Sequence, residues 1–190
     1  IVDLPHGTYE HSVEVAVQSS KTVIEKTGAC GVKLEGGASI AAQIEAITSE
    51  GIPVLGHIGL LPQKFSQTSD FRITGKDANE AEQLQKDADA VTNAGAFGIV
   101  LEGIIEPVAR VLSERATIPL IGIGASPNCQ GQILVTDDLI GLYADFTPKF
   151  VKQYANVQSI IREAAQAYAE DVISQRFPED LHCFWPLKND

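Results

Sequence analysis

The chain has 190 residues, 44% of them hydrophobic, which is enough to bury a core as one domain. Fourteen Lys and Arg stand against 25 Asp and Glu, a formal net charge of -11. Such an acidic surface repels phosphate backbones and anionic lipid, which argues against nucleic acid and membrane as the main partner.

The chain opens inside an apolar stretch, Ile1-Val2-Asp3, that reads as a strand already under way. With no Met anywhere, the expectation is a fragment lacking its N-terminal part. No apolar run reaches the length of a membrane span, and no basic segment followed by an apolar one opens the chain. Cys30, Cys129 and Cys183 are odd in number, widely spaced and without a CxxC pair, which suits a reducing, cytoplasmic setting better than a disulfide framework.

Between His11 and Lys26, the spacing of Val13, Val17, Val23 and Ile24 predicts a helix, broken by Gly28 and Gly31. A strand, Cys30 to Glu35, follows and runs into Gly36-Gly37. Ser39 to Glu50 reads as a second helix ending at Gly51, and Pro53 opens the strand that carries His57. Residues 61 to 77 read as a long loop, of a length that in a compact domain is usually functional or disordered. Then come a helix at Asp77 to Asn93, a strand at Ala96 to Glu102, a short helix at Glu106 to Glu114 and a strand at Ile118 to Gly124. Gln132 to Val135 is the candidate for a last short strand, Val157 to Ser174 for an amphipathic helix, and a polar, aromatic tail runs to Asp190.

Alternating strands and helices mean an α/β fold with a parallel sheet. A barrel and an open doubly wound sheet both fit. The barrel is favoured because every strand end offers a polar residue, whereas an open sheet concentrates them at one switch point. No repeat or linker divides residues 1 to 190, so they read as a single domain. A full (β/α)₈ TIM-type barrel runs to about 250 residues, so the first two strands and most of the third would be absent.

The strand ends carry the chemistry: Asp3, Lys33, Glu35, His57 and Glu102. Lys33 and Glu35 lie two apart on one strand and so share a face, as a pocket pair or as a structural ion pair. Asp3 and Glu35 come from neighbouring strands, and two converging carboxylates are naturally neutralised by a hard divalent cation such as magnesium. The competing reading of Asp3 is turn chemistry before Leu4-Pro5. Glu102 ends an apolar strand, where desolvation raises a carboxyl pKa and suits it to a general base. Its competitor is a buried structural Glu paired with a cation. His57 is read either as a hydrogen-bond donor to substrate or as a satisfied core residue. Gly122-Ile123-Gly124 fails as a dinucleotide loop, because Pro127 stands where the third Gly belongs.

Several motifs in order resemble one family. They are Asp3-Leu4-Pro5, Val32 to Gly37 (VKLEGG), Gly56 to Leu60 (GHIGL), Leu101-Glu102-Gly103, Ile121 to Ala125 (IGIGA), Gly131 to Val135 (GQILV) and Pro148-Lys149-Phe150. With the Phe177-Pro178-Glu179-Asp180 ending before His182, they cover essentially the whole chain and resemble ketopantoate hydroxymethyltransferase. The resemblance implies a (β/α)₈ barrel assembled as a homo-oligomer. It implies transfer of a hydroxymethyl group from methylenetetrahydrofolate to the 2-oxo acid ketoisovalerate, in pantothenate biosynthesis. It further implies Mg2+ chelating the keto acid, Asp3 and Glu35 as metal-site acids, Lys33 as the substrate-binding lysine, and Glu102 as the base that forms an enolate. Asp3 and His57 stand beside Lys33 as substrate-binding candidates.

The chain departs from the family pattern at His6 (usually Phe), Ser126 (Gly), Gln130 (Asp), Lys76 (Arg) and Ile104-Ile105 (Val-Pro), and the family's Asp-Ser pair would precede Ile1. Two further readings remain at this level. One is a related barrel making or breaking a carbon-carbon bond in another 2-oxo acid. The other is a non-catalytic barrel remnant that binds a partner subunit or small ligand.

Overall fold

Two of the helices begin where a side chain satisfies a backbone N–H that the helix cannot. Ser12 accepts from the Val15 N–H and starts α1, Val13–Thr27, which Gly28 closes in the left-handed conformation (φ 68°). Asp77 accepts from the Glu80 N–H and starts α3, Ala78–Asn93. Between them, a 3₁₀ turn at Ala38–Ile40 leads into α2, Ala41–Ser49. Pro107 stands in the first turn of α4, Glu106–Arg115, where its missing N–H costs nothing.

The computed structural model describes residues 1–65, 71–143 and 146–186. Six parallel strands occur in them: β1 Val2–Asp3, β2 Val32–Glu35, β3 Val54–Gly59, β4 Gly98–Glu102, β5 Leu120–Ile123 and β6 Gly131–Gln132. Their order in the sheet is β1-β2-β3-β4-β5-β6. A strand order that rises with the chain is the order of a (β/α)₈ barrel, whereas a doubly wound sheet reverses at its switch point. The expectation of a parallel α/β fold holds.

Register divides the sheet into two faces. Val32, Leu34, Val54, Ile58, Ile99, Leu101 and Leu120 point to the helices and pack with Ile44, Ile47, Leu84, Val91 and Leu112 in one apolar core. The opposite face follows from the pairs Asp3 with Lys33, Glu35 with His57, His57 with Val100 and Gly59 with Glu102. A one-residue slip of any strand would exchange the two faces, so burial of the apolar set fixes the position of the polar one.

The chain forms two compact units, Ile1–Ile133 and Leu134–Asp190. The first holds the sheet and α1 to α4. The second holds α5, Thr136–Leu139, and α6, Val157–Ile173, whose residues are all at least partly exposed. Phe177 there packs against Tyr168 and His182, with ring centroids 5.6 and 5.1 Å apart.

Two expectations need adjustment. The last strand is Gly131–Gln132 rather than 132–135: the Ile133 N–H makes the last backbone bond to β5, at the Gly122 carbonyl, and the chain then turns into the unforeseen α5. The loop at 61 to 77 contains a 3₁₀ turn, Pro62–Lys64, and Thr74 bridges to Ile104. Positions 66–70 of that loop and 187–190 of the tail lie outside the described residues. Gly122 and Ile123 lie within β5, which is no place for a dinucleotide-binding turn. Among the described residues, no helix is long and apolar enough to cross a membrane.

Candidate active site

β1 to β4 deliver their polar ends to one place. Asp3 forms an ion pair with Lys33 across the β1–β2 register. The Lys33 Nζ is also 3.3 Å from Nδ1 of His57. A lysine ammonium can only donate, so in the neutral imidazole Nδ1 is the acceptor and Nε2 carries the proton. Nε2 points toward Glu102, whose Oε2 is 3.2 Å away. Glu35 completes the cluster, with Oε1 3.7 Å from His57 Nδ1. Asp3, Lys33, Glu35, His57 and Glu102 are therefore brought together, all five.

Burial grades across the cluster. His57 and Glu35 are almost sealed, with side chains 2% and 3% exposed, whereas Asp3 is 39% exposed and marks the open side. Burial pushes the Glu35 carboxyl pKa above its ordinary range, and nearby Asp3 adds to the rise. His57, the Gln63 N–H and Lys33 pull the other way without cancelling it. One atom stands out. His57 Nε2 is buried and has no aligned hydrogen-bond acceptor despite its closeness to Glu102. A buried donor in that condition costs about 1–3 kcal/mol, so the site holds a donor free to be given to another acceptor.

Two residues that hold the cluster escaped the sequence reading. The Tyr9 hydroxyl accepts from the Glu35 N–H at 3.1 Å and donates to the Glu35 carbonyl at 3.0 Å, clamping that peptide from both sides. Burial drives the phenol pKa well above its usual value, against the opposing bond to the Glu35 backbone, so Tyr9 stays a neutral hydroxyl. Gln63 donates its backbone N–H to Glu35 Oε2 at 3.0 Å and its side-chain N–H to the Leu4 carbonyl at 3.2 Å. Its side-chain oxygen accepts from the His6 N–H at 2.6 Å. Both residues sit just past strand ends, where barrel loops carry function, and that placement is the one signal that could have found them.

Two glycines are dictated by space. At Gly59 (φ +96°) a Cβ would stand 2.3 Å from the Glu102 carbonyl oxygen. At Gly37 it would stand 2.0 Å from the Asp87 side chain, whose Oδ1 accepts from the Ala38 N–H at 2.8 Å.

Among the described residues, no three His, Cys, Asp or Glu side chains gather to hold a metal ion on their own. Asp3 and Glu35 nevertheless offer hard oxygen donors on adjacent strands, Asp3 toward the open side. That donor set fits a magnesium-type ion bound by one or two carboxylates and otherwise by water and a ligand's oxygens.

A family model described as ketopantoate hydroxymethyltransferase matches residues 1–180. A protein of Paramagnetospirillum magneticum named 3-methyl-2-oxobutanoate hydroxymethyltransferase is 50% identical over 188 residues, which are 99% of this chain and 69% of that one. Proteins of the same name from Brucella canis and Rhizobium rhizogenes are 46% and 44% identical, over 97% and 99% of this chain and 67% and 69% of theirs.

Proposed function

From this chain's membership of the ketopantoate hydroxymethyltransferase family, we propose that it moves a hydroxymethyl group from methylenetetrahydrofolate to 3-methyl-2-oxobutanoate, giving ketopantoate for pantothenate synthesis. The family match runs through both compact units, which supports one catalytic barrel domain over residues 1 to 190.

In this reading Glu102 is the general base and takes the proton from the carbon beside the ketone. Its position at the end of β4, beside a buried imidazole, suits a carboxylate used on a substrate proton. His57 offers the Nε2 proton to the ketone oxygen as negative charge grows there, which would satisfy the unpartnered donor. Lys33 pairs with the keto acid carboxylate while Asp3 holds the ammonium in position. Water cleaves the two C–N bonds of the folate methylene, so that tetrahydrofolate leaves and the one-carbon unit becomes formaldehyde. The carbanion carbon adds to that carbonyl, whose oxygen takes a proton and becomes the hydroxyl. Asp3 and Glu35 are the residues that would hold Mg2+, which supplies Lewis-acid polarisation of the ketone when bound.

The observation that carries this reading is the Lys33–His57–Glu102 row, in which a donor-only cation fixes the imidazole tautomer beside a carboxylate. Its test is solvent deuterium exchange into the alpha carbon of 3-methyl-2-oxobutanoate with magnesium present, followed by NMR. Exchange well above a Glu102→Gln control supports it, and rates equal to that control sink it. A panel of other 2-oxo acids in the same assay separates a related carbon-carbon enzyme. Calorimetry without keto acid binding would favour a partner-binding role.

A further inference from the structure

A second feature lies beside the cluster and is used by none of the steps above. A cavity of about 440 Å³ is lined by Lys64, Arg72 and Lys76 together with Leu60, Phe65 and Ile73. Three cations around one cavity are notable in a chain whose net charge is -11. Among the described residues, the one carboxylate on its lining is Glu80, which accepts from the backbone N–H of Lys76 at 2.8 Å. The cavity also borders the backbone of the base strand. Gly59 on its wall is paired in register with Glu102, and the Leu60 N–H donates to the Glu102 carbonyl at 2.8 Å. A ligand seated there would meet apolar side chains, three cations and the backbone of Gly59, the residue in register with Glu102.

The geometry points to this cavity as the seat of the anionic tail of the one-carbon donor, with Lys64, Arg72 and Lys76 reading its glutamyl carboxylates. This rests on the reading of the reaction given above. A reduced pterin with an aromatic linker and a chain of carboxylates has the required polarity along its length. Its reactive end would then face the Glu102 strand end, and several carboxylates would answer several cations.

The test is calorimetry on the 190-residue chain with three probes: 6-methyltetrahydropterin, which has no tail, and tetrahydrofolate with one or with three glutamates. Affinity is expected to rise with tail length. Arg72→Ala and Lys76→Ala should each reduce that tail advantage by about fivefold, the weight of one partly exposed ion pair. Arg72→Lys should keep most of it, which separates lost charge from lost fold. No tail advantage in the parent chain, or one unchanged by both alanine substitutions, overturns the assignment. Deuterium exchange into the keto acid needs no folate and reads the reaction separately. Exchange without a tail advantage removes the cavity assignment alone. A cation-dependent tail advantage without exchange keeps the cavity assignment and sinks the proposed reaction.

Discussion

His57 Nε2 stands 3.2 Å from Glu102 Oε2, yet the two are not aligned as a hydrogen bond. The pair is near enough for charge on one to be felt by the other, and loose enough for the imidazole proton to be given to something else. Replacing His57 by Phe keeps a ring in the buried slot and removes that donor. The deuterium exchange rate should then fall by about 10²-fold at saturating keto acid, the usual cost of losing one oxyanion donor. An unchanged rate would return His57 to a purely structural role.

Lys33 touches both Asp3 and His57, so its removal should act on binding first. Lys33→Met is expected to raise the KM for keto acid about ten- to hundredfold, in line with a hydrogen bond to a charged group of about 1.5–3 kcal/mol. Steady-state exchange kinetics at fixed magnesium would show it. A fall in kcat alone would contradict the substrate-carboxylate role.

Glu35 makes a prediction in pH. Its folded pKa lies above the ordinary 4.5, so the folded state holds the proton more tightly than the unfolded one. The associated stability is fully present below about that value and is lost as pH rises through the raised folded pKa. Glu35→Gln removes the titration. Its urea midpoint should therefore gain on that of the parent between pH 4 and pH 8, and a gap that shrinks over that range would reverse the sign argued here.

The Tyr9 hydroxyl is bonded twice to the Glu35 peptide, so Tyr9→Phe leaves a buried N–H and C=O to find new partners. A loss of about 1–3 kcal/mol is expected in urea unfolding. The exchange rate should fall with it, because Glu35 would no longer be held in register with His57.

At Gly59 the limit is space. Alanine would place a methyl against the Glu102 carbonyl oxygen in a backbone conformation that disfavours side chains. Gly59→Ala should cost about 1–3 kcal/mol and displace Glu102, which a joint measurement of thermal stability and exchange would register.

Much of this was legible from the chain alone because strand ends announce themselves. Apolar runs that close on Asp3, Glu35 or Glu102 placed the strands, and the period-two rule put Lys33 and Glu35 on one face. Helix starts were readable to within two residues, since Ser12 and Asp77 are side chains that cap. The supports were not legible. Tyr9 and Gln63 act through contacts 26 and 28 residues away in the chain, and nothing local in their segments marks a partner at that range. The short α5 was missed because one turn of helix leaves no periodicity to detect. Nor could residue types reveal the idle imidazole proton, which is a matter of angle.

The row from Asp3 through Lys33 and His57 to Glu102 runs across β1, β2, β3 and β4, never along one of them. Such a site has no private way to melt. Each neighbouring pair is separated by a ladder of backbone bonds, so local fraying at a loop leaves the row standing and its loss requires strands to part. Heat should therefore extinguish exchange and the far-ultraviolet signal of the sheet at one temperature, and a ligand bridging the row would act as a crosslink between strands that are distant in the chain.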